Sequence, residues 1–263
     1  MPLIVAVCNQ KGGVGKTTST LALASAGVAA GMRVLVVDLD PQANASQSLG
    51  LAEGVDPEQA LSAYDVLAAD TAGGAGGAIV ASSWPGVAVL PADQALAAAE
   101  TVTTPAEALA RSLDGATGDV DLVLVDCPPS VGRLTLNALV AVDLALVVTS
   151  PGAYASEGVV KIAETIATVR RDYNPALSLA GIIVTMMPPR GREASLRLAE
   201  LEERFPGKVW SPPIPRRSVV EESTGARQPL SAFGADARAV TEPYAIHLSH
   251  LLAVATTVER TRR

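Results

Sequence analysis

Six apolar residues, Leu3-Ile-Val-Ala-Val-Cys8, run to within two residues of the heptapeptide Lys11-Gly-Gly-Val-Gly-Lys-Thr17, and residues 18–30 continue as an apolar, helix-like stretch. A buried strand, a glycine-rich turn and a helix start, in that order, restrict the fold more than any other feature of the chain. Glycines let backbone N–H groups crowd around phosphate oxygens, and a helix N-terminus adds partial positive charge at the same point. Gly12, Gly13, Val14 and Gly15 form such a phosphate-cradling loop. Lys16 is placed to reach β- and γ-phosphates, the Thr17 hydroxyl is placed to ligate Mg²⁺, and Thr18 completes the nucleotide-binding set. Lys11 adds a second cation at the start of the loop. Its charge suits the phosphates of another nucleotide.

Two later segments supply carboxylates. Arg33-Val-Leu-Val-Val-Asp38-Leu-Asp40-Pro-Gln42 and Asp121-Leu-Val-Leu-Val-Asp126-Cys-Pro-Pro-Ser130 are both buried-strand patterns that end in acid. Mg²⁺ prefers a few carboxylates together with phosphate oxygens and retained waters, so a carboxylate at a strand's C-terminal end suits it. Asp126 is the metal-side candidate, in the manner of a Walker B acid. The Asp38/Asp40 pair offers one group to the metal side and one to water. The expected metal set is Thr17, Asp40 and Asp126, and the expected catalytic set is Lys11, Lys16 and Asp40. A single Asp after a strand also serves as a helix cap or turn residue.

KGGVGKTT, VDLDPQAN and LVDCPPS, together with IIVTMM at 182–187 and PIPR at 213–216, resemble the deviant-Walker ATPases of the ParA/MinD family, most closely the Soj-like ParA branch of chromosome- and plasmid-partitioning proteins. The match covers nearly the whole chain. The resemblance implies Mg²⁺-dependent ATP hydrolysis by an ATP-sandwich homodimer, with Lys11 reaching the partner's ATP and Asp40 positioning the attacking water. It also implies sequence-independent binding to double-stranded DNA, stimulation by a ParB-type protein, and a cytoplasmic, nucleoid-associated location. Met186, Pro215 and Arg217 are the implied adenine contacts, although relatives commonly carry a Tyr/Phe-Asp pair after the Thr-Met and Asn at the position of Arg217. Two alternatives share the fold. One is a MinD-like or cargo-positioning ATPase acting on a protein assembly or membrane; the other is a metabolic P-loop ligase, which would lack the first lysine.

Composition narrows the choice. At 263 residues the chain suits one large α/β domain, 1–263, and leaves little room for an added DNA-binding module. A first strand at Leu3 leaves no space for an N-terminal helix-turn-helix, and no basic region precedes it to make a signal peptide. No apolar run reaches the ~20 residues of a membrane span. Cys8 and Cys127, the only cysteines, form no CxxC pair, which disfavours iron–sulfur relatives and suits buried reduced thiols. The final helix lacks Phe, Trp and Tyr after 246, so it reads as packing on the sheet rather than lying on a membrane.

The net charge is −7, but unevenly spread. Residues 1–160 carry 5 basic and 16 acidic side chains, and residues 161–263 carry 15 and 11. Repulsion from the acidic part is screened over roughly 8 Å at physiological salt, so a local basic patch can still hold phosphates. Arg190, Arg192, Arg197, Arg216 and Arg227 are the DNA-binding candidates that the resemblance favours, with Arg204 and Arg217 beside them. Arg197, Glu200, Glu203 and Arg204 also have the spacing of ion pairs on a solvated helix face.

Alternating β and α segments predict a doubly wound, mostly parallel sheet with helices on both faces. Strands are expected at 3–8, 34–38, 87–91, 122–126, 144–149, 179–184 and 208–210. Helices are expected at 17–30, 60–69, 95–99, 105–114, 134–141, 158–172, 193–204 and 241–260. AGGAGGA at 72–78 reads as a flexible surface loop. Residues 126–130 sit where a switch loop would sense a γ-phosphate, and the 149–158 segment departs from the usual pattern of relatives.

Overall fold

The computed structural model describes residues 2–57, 59–101, 104–152 and 155–262, and the side chains up to residue 258. Ala153 and Tyr154 of the unusual 149–158 segment, and the basic side chains at the extreme C-terminus, lie outside the described residues. Among the described residues seven strands form one sheet: β1 Leu3–Cys8, β2 Val34–Asp38, β3 Val80–Ala81, β4 Val87–Leu90, β5 Leu122–Asp126, β6 Leu144–Thr149 and β7 Ser178–Val184. Their order is β3-β4-β2-β5-β1-β6-β7. Of these strands β3 alone runs antiparallel, against β4.

The continuous Val/Leu/Ile composition of the central strands follows from burial on both faces. Along β1, Ala6 and Cys8 face one core and Val5 and Val7 the other. The first core is covered by α3 Ala63–Ala69, α4 Ala108–Leu113, α5 Arg133–Ala141, α6 Ala155–Asp172 and α7 Arg192–Arg204. The second is covered by α1 Lys16–Ala29, α2 Asn44–Leu49, α8 Val219–Ala226 and α9 Gly234–Arg262. The connection from β1 passes β5 to reach β2, whereas the connection from β5 passes β1 in the opposite direction to reach β6. The loops at the C-terminal end of β1 therefore border a crevice, the usual ligand position in such sheets.

Several expected elements differ. Residues 60–62 are not helical: Ser62 and Asp65 form a reciprocal capping box, with Ser62 N–H donating to Asp65 Oδ2 at 2.8 Å, and α3 begins after it. Residues 94–100 are a 3₁₀ helix, and α4 is shorter than the expected 105–114. The AGGAGGA segment is a 3₁₀ turn at Gly74–Gly77 with Ala75 and Ala78 wholly buried, so its small residues serve close packing. Residues 208–210 make a single parallel bridge, Ile182 to Val209, because Pro212 and Pro213 then remove ladder donors. Helix α9 starts at Gly234, seven residues before the expected 241, and carries Pro243 inside it.

Helix α9 is tied to α1 through a buried 2.8 Å hydrogen bond between Tyr244 Oη and Ser19 Oγ. One turn further, His247 is fully buried beside Trp210 and His250, with ring centroids 5.8 and 6.0 Å away. Neither of its ring nitrogens has a hydrogen-bond partner among the described residues. Burial, then the neighbouring His250, push its pKa down from 6.5 to about 4, against a smaller opposing effect of the nearby Pro212 backbone. The unfolded chain therefore takes up this proton first, so stability present above pH 6.5 is lost as pH falls through about 4. His247→Leu should abolish that loss, worth on the order of 3 kcal/mol across the window. Urea denaturation at pH 7 and pH 4.5 checks it: an equal acid sensitivity in both proteins would refute the assignment to His247.

Candidate nucleotide site

Between β1 and α1 the chain follows the expected cradle. Gly13 and Gly15 adopt φ of 70° and 84°, conformations that glycine reaches without a Cβ penalty. Asn9, which the sequence reading passed over, clamps the loop's first residues. Its Nδ2 donates to the Val148 carbonyl at 2.7 Å and its Oδ1 accepts from Lys11 N–H at 3.1 Å. Thr185, just after β7, holds the other side by donating to the Val14 carbonyl at 2.7 Å. Val14 is buried beneath the loop. The Lys16 side chain is largely buried, and its ammonium donates to the Lys11 carbonyl at 3.3 Å. Lys11 itself is exposed, with no ion pair among the described residues; a Cβ at Gly152 would lie 3.3 Å from its Nζ.

The carboxylates sit below and beside this loop. Asp38 and Asp126 are register partners on β2 and β5, and both are completely buried. Asp126 Oδ2 accepts from Thr17 Oγ1 at 2.7 Å and Oδ1 from Thr20 Oγ1 at 3.1 Å. Burial, then the Asp38 carboxylate, push the Asp126 pKa up, while Thr17, Thr20 and Lys16 pull it down. Asp38 is also raised by burial, against hydrogen bonds from Ser46 and Asp40. Asp40 is nearly buried; its Oδ1 accepts from Gln42 N–H at 3.0 Å, and its Oδ2 has no partner among the described residues. The Cys8 and Cys127 thiols are buried and unpaired, and burial holds both protonated, Cys8 up at about 12.

A cavity of about 630 Å³ opens over the loop. Gly12, Gly13, Gly15, Lys16, Thr17 and Thr18 line its floor, and Asp40 and Pro129 its sides. Met186, half-exposed at φ 52°, and Arg227, the αL cap of α8, stand at the far wall. Pro215 and Arg217 are not among the lining residues, and neither is Asp126, which reaches the cavity through Thr17. Two larger depressions, about 790 and 970 Å³, do not include the glycine loop. No three His, Cys, Asp or Glu side chains converge as a protein-only metal site among the described residues. One hydroxyl, nearby carboxylates and a phosphate cradle are a donor set that fits Mg²⁺ carried with a nucleotide.

The candidate arginines divide by position. Arg197 on α7 is paired with Glu200 at 2.9 Å and Glu193 at 3.9 Å, the helix-face arrangement. Arg190, Arg192, Arg204, Arg216 and Arg217 are exposed. Met187 N–H donates to the Ile214 carbonyl and Arg216 N–H to the Met187 carbonyl, both at 2.9 Å. That pairing brings the segments bearing Arg190 and Arg216 together at the C-terminal end of β7. Arg227, also exposed, lines the cavity over the glycine loop.

Residues 3–179 match the family described as AAA domain. The chain is 35% identical over 237 residues to the sporulation initiation inhibitor protein Soj of Bacillus subtilis, covering 89% of this chain and 92% of that one. It is also 35% identical to the chromosome partitioning protein ParA of Caulobacter vibrioides, covering 88% and 86%. Among solved structures, cobyrinic acid a,c-diamide synthase from Mycobacterium smegmatis with bound ADP and magnesium superposes with a TM-score of 0.77 at 35% identity, covering 96% and 94%.

Asp38 has a role that its position in the acidic pair conceals. Its Oδ2 accepts from Ser46 N–H at 2.8 Å and Ser46 Oγ at 2.7 Å, in the first turn of α2, and its Oδ1 from Asp40 N–H at 3.1 Å. A strand carboxylate thus caps a helix whose own N-cap, Ala43, has no side-chain acceptor. Asp38→Ala should orphan those donors and cost about 3 kcal/mol of unfolding free energy, with Asp38→Asn costing less. A loss under about 1 kcal/mol for the alanine variant in urea titrations would exclude the capping role.

Proposed function

The chain belongs to the ParA/MinD-type ATPases, and from that premise we propose that it is a partitioning ATPase whose ATP-bound dimer holds DNA. The observation that carries this reading is the disposition of the two lysines. Lys16 sits inside a glycine cradle that Thr17 and Asp126 complete, whereas Lys11 is exposed outside the cavity its own loop forms. A cation so placed suits a second nucleotide held by a second copy, and it favours this reading over a metabolic P-loop ligase.

Within such a dimer, the loop amides and Lys16 neutralise the phosphates, and Thr17, oriented by Asp126, would hold the nucleotide's Mg²⁺, which would supply further charge neutralisation. The carboxylate of Asp40, with one oxygen uncommitted, orients the attacking water. Met186 and Arg227 flank the remainder of the nucleotide, and Pro215 and Arg217 stand further out. Arg190, Arg192, Arg216 and Arg217 contact DNA phosphates, with no base readout. Dimerisation doubles those contacts on one face, so ATP governs DNA affinity through effective concentration. A ParB-type protein accelerates hydrolysis, and nucleoid association follows from DNA binding. No helix among the described residues is long and apolar enough to cross a membrane.

Lys16→Ala removes a charge-assisted contact and should weaken ATP binding at least 10-fold. Titration with a fluorescent ATP analogue checks this; wild-type affinity in the variant would remove Lys16 from the site. For DNA, retention of duplexes should require ATP rather than ADP and fall steeply with salt. Arg216→Glu should weaken all sequences alike and flatten the salt slope without changing ATP affinity. If wild type with ATP retains no DNA at low salt, a protein-positioning ATPase becomes the better reading.

A further inference from the structure

Helix α5 starts just after the loop that follows β5, and its N-cap, Gly132, has no side chain with which to satisfy the first helical donor. The acceptor comes from another part of the chain. Glu100, at the end of the 94–100 turn, accepts from Arg133 N–H through Oε2 at 2.7 Å and from Ser130 Oγ through Oε1 at 3.2 Å. Ser130 is itself tied to α5, its carbonyl accepting from Thr135 Oγ1 at 2.7 Å. A Cβ on Gly132 would collide with the Glu100 carboxylate, so glycine is required for this approach. Among the described residues Glu100 has no basic side-chain partner; the Arg133 guanidinium donates to the Thr104 carbonyl instead. The carboxylate is directed at the helix N-terminus, where its charge is favoured.

The other end of the same loop is pinned to the sheet, with Cys127 N–H donating to the Val7 carbonyl at 3.2 Å. Between the two anchors stand Pro128 and Pro129, whose backbone dihedrals are restricted. Pro129 lines the nucleotide cavity and packs over the phosphate loop, 3.8 Å from where a Gly12 Cβ would be. The 94–100 turn is itself immobilised by Leu96 and Ala99, both buried in the core. A continuous chain of contacts therefore runs from that turn to the cavity wall.

We propose that Glu100 is a positioning residue: it latches the 128–132 loop so that Pro129 closes the cavity beside the phosphate loop in the arrangement turnover requires. This rests on the ATPase reading above. The residue acts through the loop and touches no nucleotide, so its removal should slow turnover more than it weakens binding.

The test uses the full chain with Glu100→Ala, Glu100→Gln and Gly132→Ala, the last of which keeps the carboxylate but displaces it. Steady-state kcat and KM for Mg²⁺-ATP, affinity for a non-hydrolysable ATP analogue, and amide exchange at residues 130–135 are read together. Glu100→Ala should lower kcat about 10-fold, leave KM and analogue affinity within about 3-fold, and speed exchange at the Arg133 amide. Glu100→Gln, which retains one acceptor oxygen, should recover part of the rate, and Gly132→Ala should reproduce the loss. Unchanged kcat with faster exchange would reduce Glu100 to a helix cap and overturn the proposal. A parallel fall in analogue affinity and kcat would overturn it as well. If wild type neither binds nor hydrolyses ATP, the ATPase reading has failed; turnover in wild type with unaffected variants is failure of the latch alone.

Discussion

Everything at the mouth of the sheet depends on one buried carboxylate. Asp126 ends the strand beside β1 and divides its oxygens between Thr17 and Thr20, both in the first turns of α1. Those bonds fix the rotation of α1, and with it the directions of Lys16 and the Thr17 hydroxyl. The arrangement has an electrostatic cost. A carboxylate without solvent access, next to Asp38 on the neighbouring strand, is disfavoured in its charged form, and its pKa rises accordingly. Positive charge brought close to it reverses that penalty. The site is thus poised to gain more from a cation than an exposed acid would.

The same tension has a sign in pH. Both acids have pKa values raised above the ordinary 3.8, so the folded protein holds protons there that the unfolded chain has released. Their contribution to stability therefore declines as pH rises above about 4, opposite to the effect of His247. The acid limb of stability is a difference between these groups. His247 is the cleaner probe because its neighbours are rings rather than a network of hydrogen-bonded acids.

What the sequence revealed was what is local. The strand, glycine loop and helix are contiguous, and each central strand announces itself by an unbroken run of Val, Leu and Ile. The short elements α2, α8 and β3 were not expected, because none has an apolar period long enough to register. Helix α2 reads NASQSL and takes its cap from Asp38, a carboxylate that looks like half of a metal-binding pair. The start of α5 takes its cap from Glu100, 33 residues away. Remote capping leaves no spacing rule to find. The arginines show the reverse difficulty: Arg197 had the spacing of an ion pair and forms one, while Arg227, the left-handed residue that ends α8, lines the cavity without any spacing rule to announce it.

These two remote caps share a consequence. Residues on α2 and on the loop before it line one side of the cavity, and Pro129, just before α5, lines another. Both walls are thus held by carboxylates whose acceptor oxygens are already committed, Asp38 to Ser46 and Asp40, Glu100 to Ser130 and Arg133. A phosphate arriving in the cavity meets neither carboxylate, because Asp38 and Glu100 stand behind the residues that line it. The groups that meet it are the loop amides and the Lys16 ammonium, whose only partner among the described residues is the Lys11 carbonyl at 3.3 Å. Walls held from behind by committed carboxylates leave a floor of donors to meet the anion, and they concentrate any movement on binding in the phosphate loop.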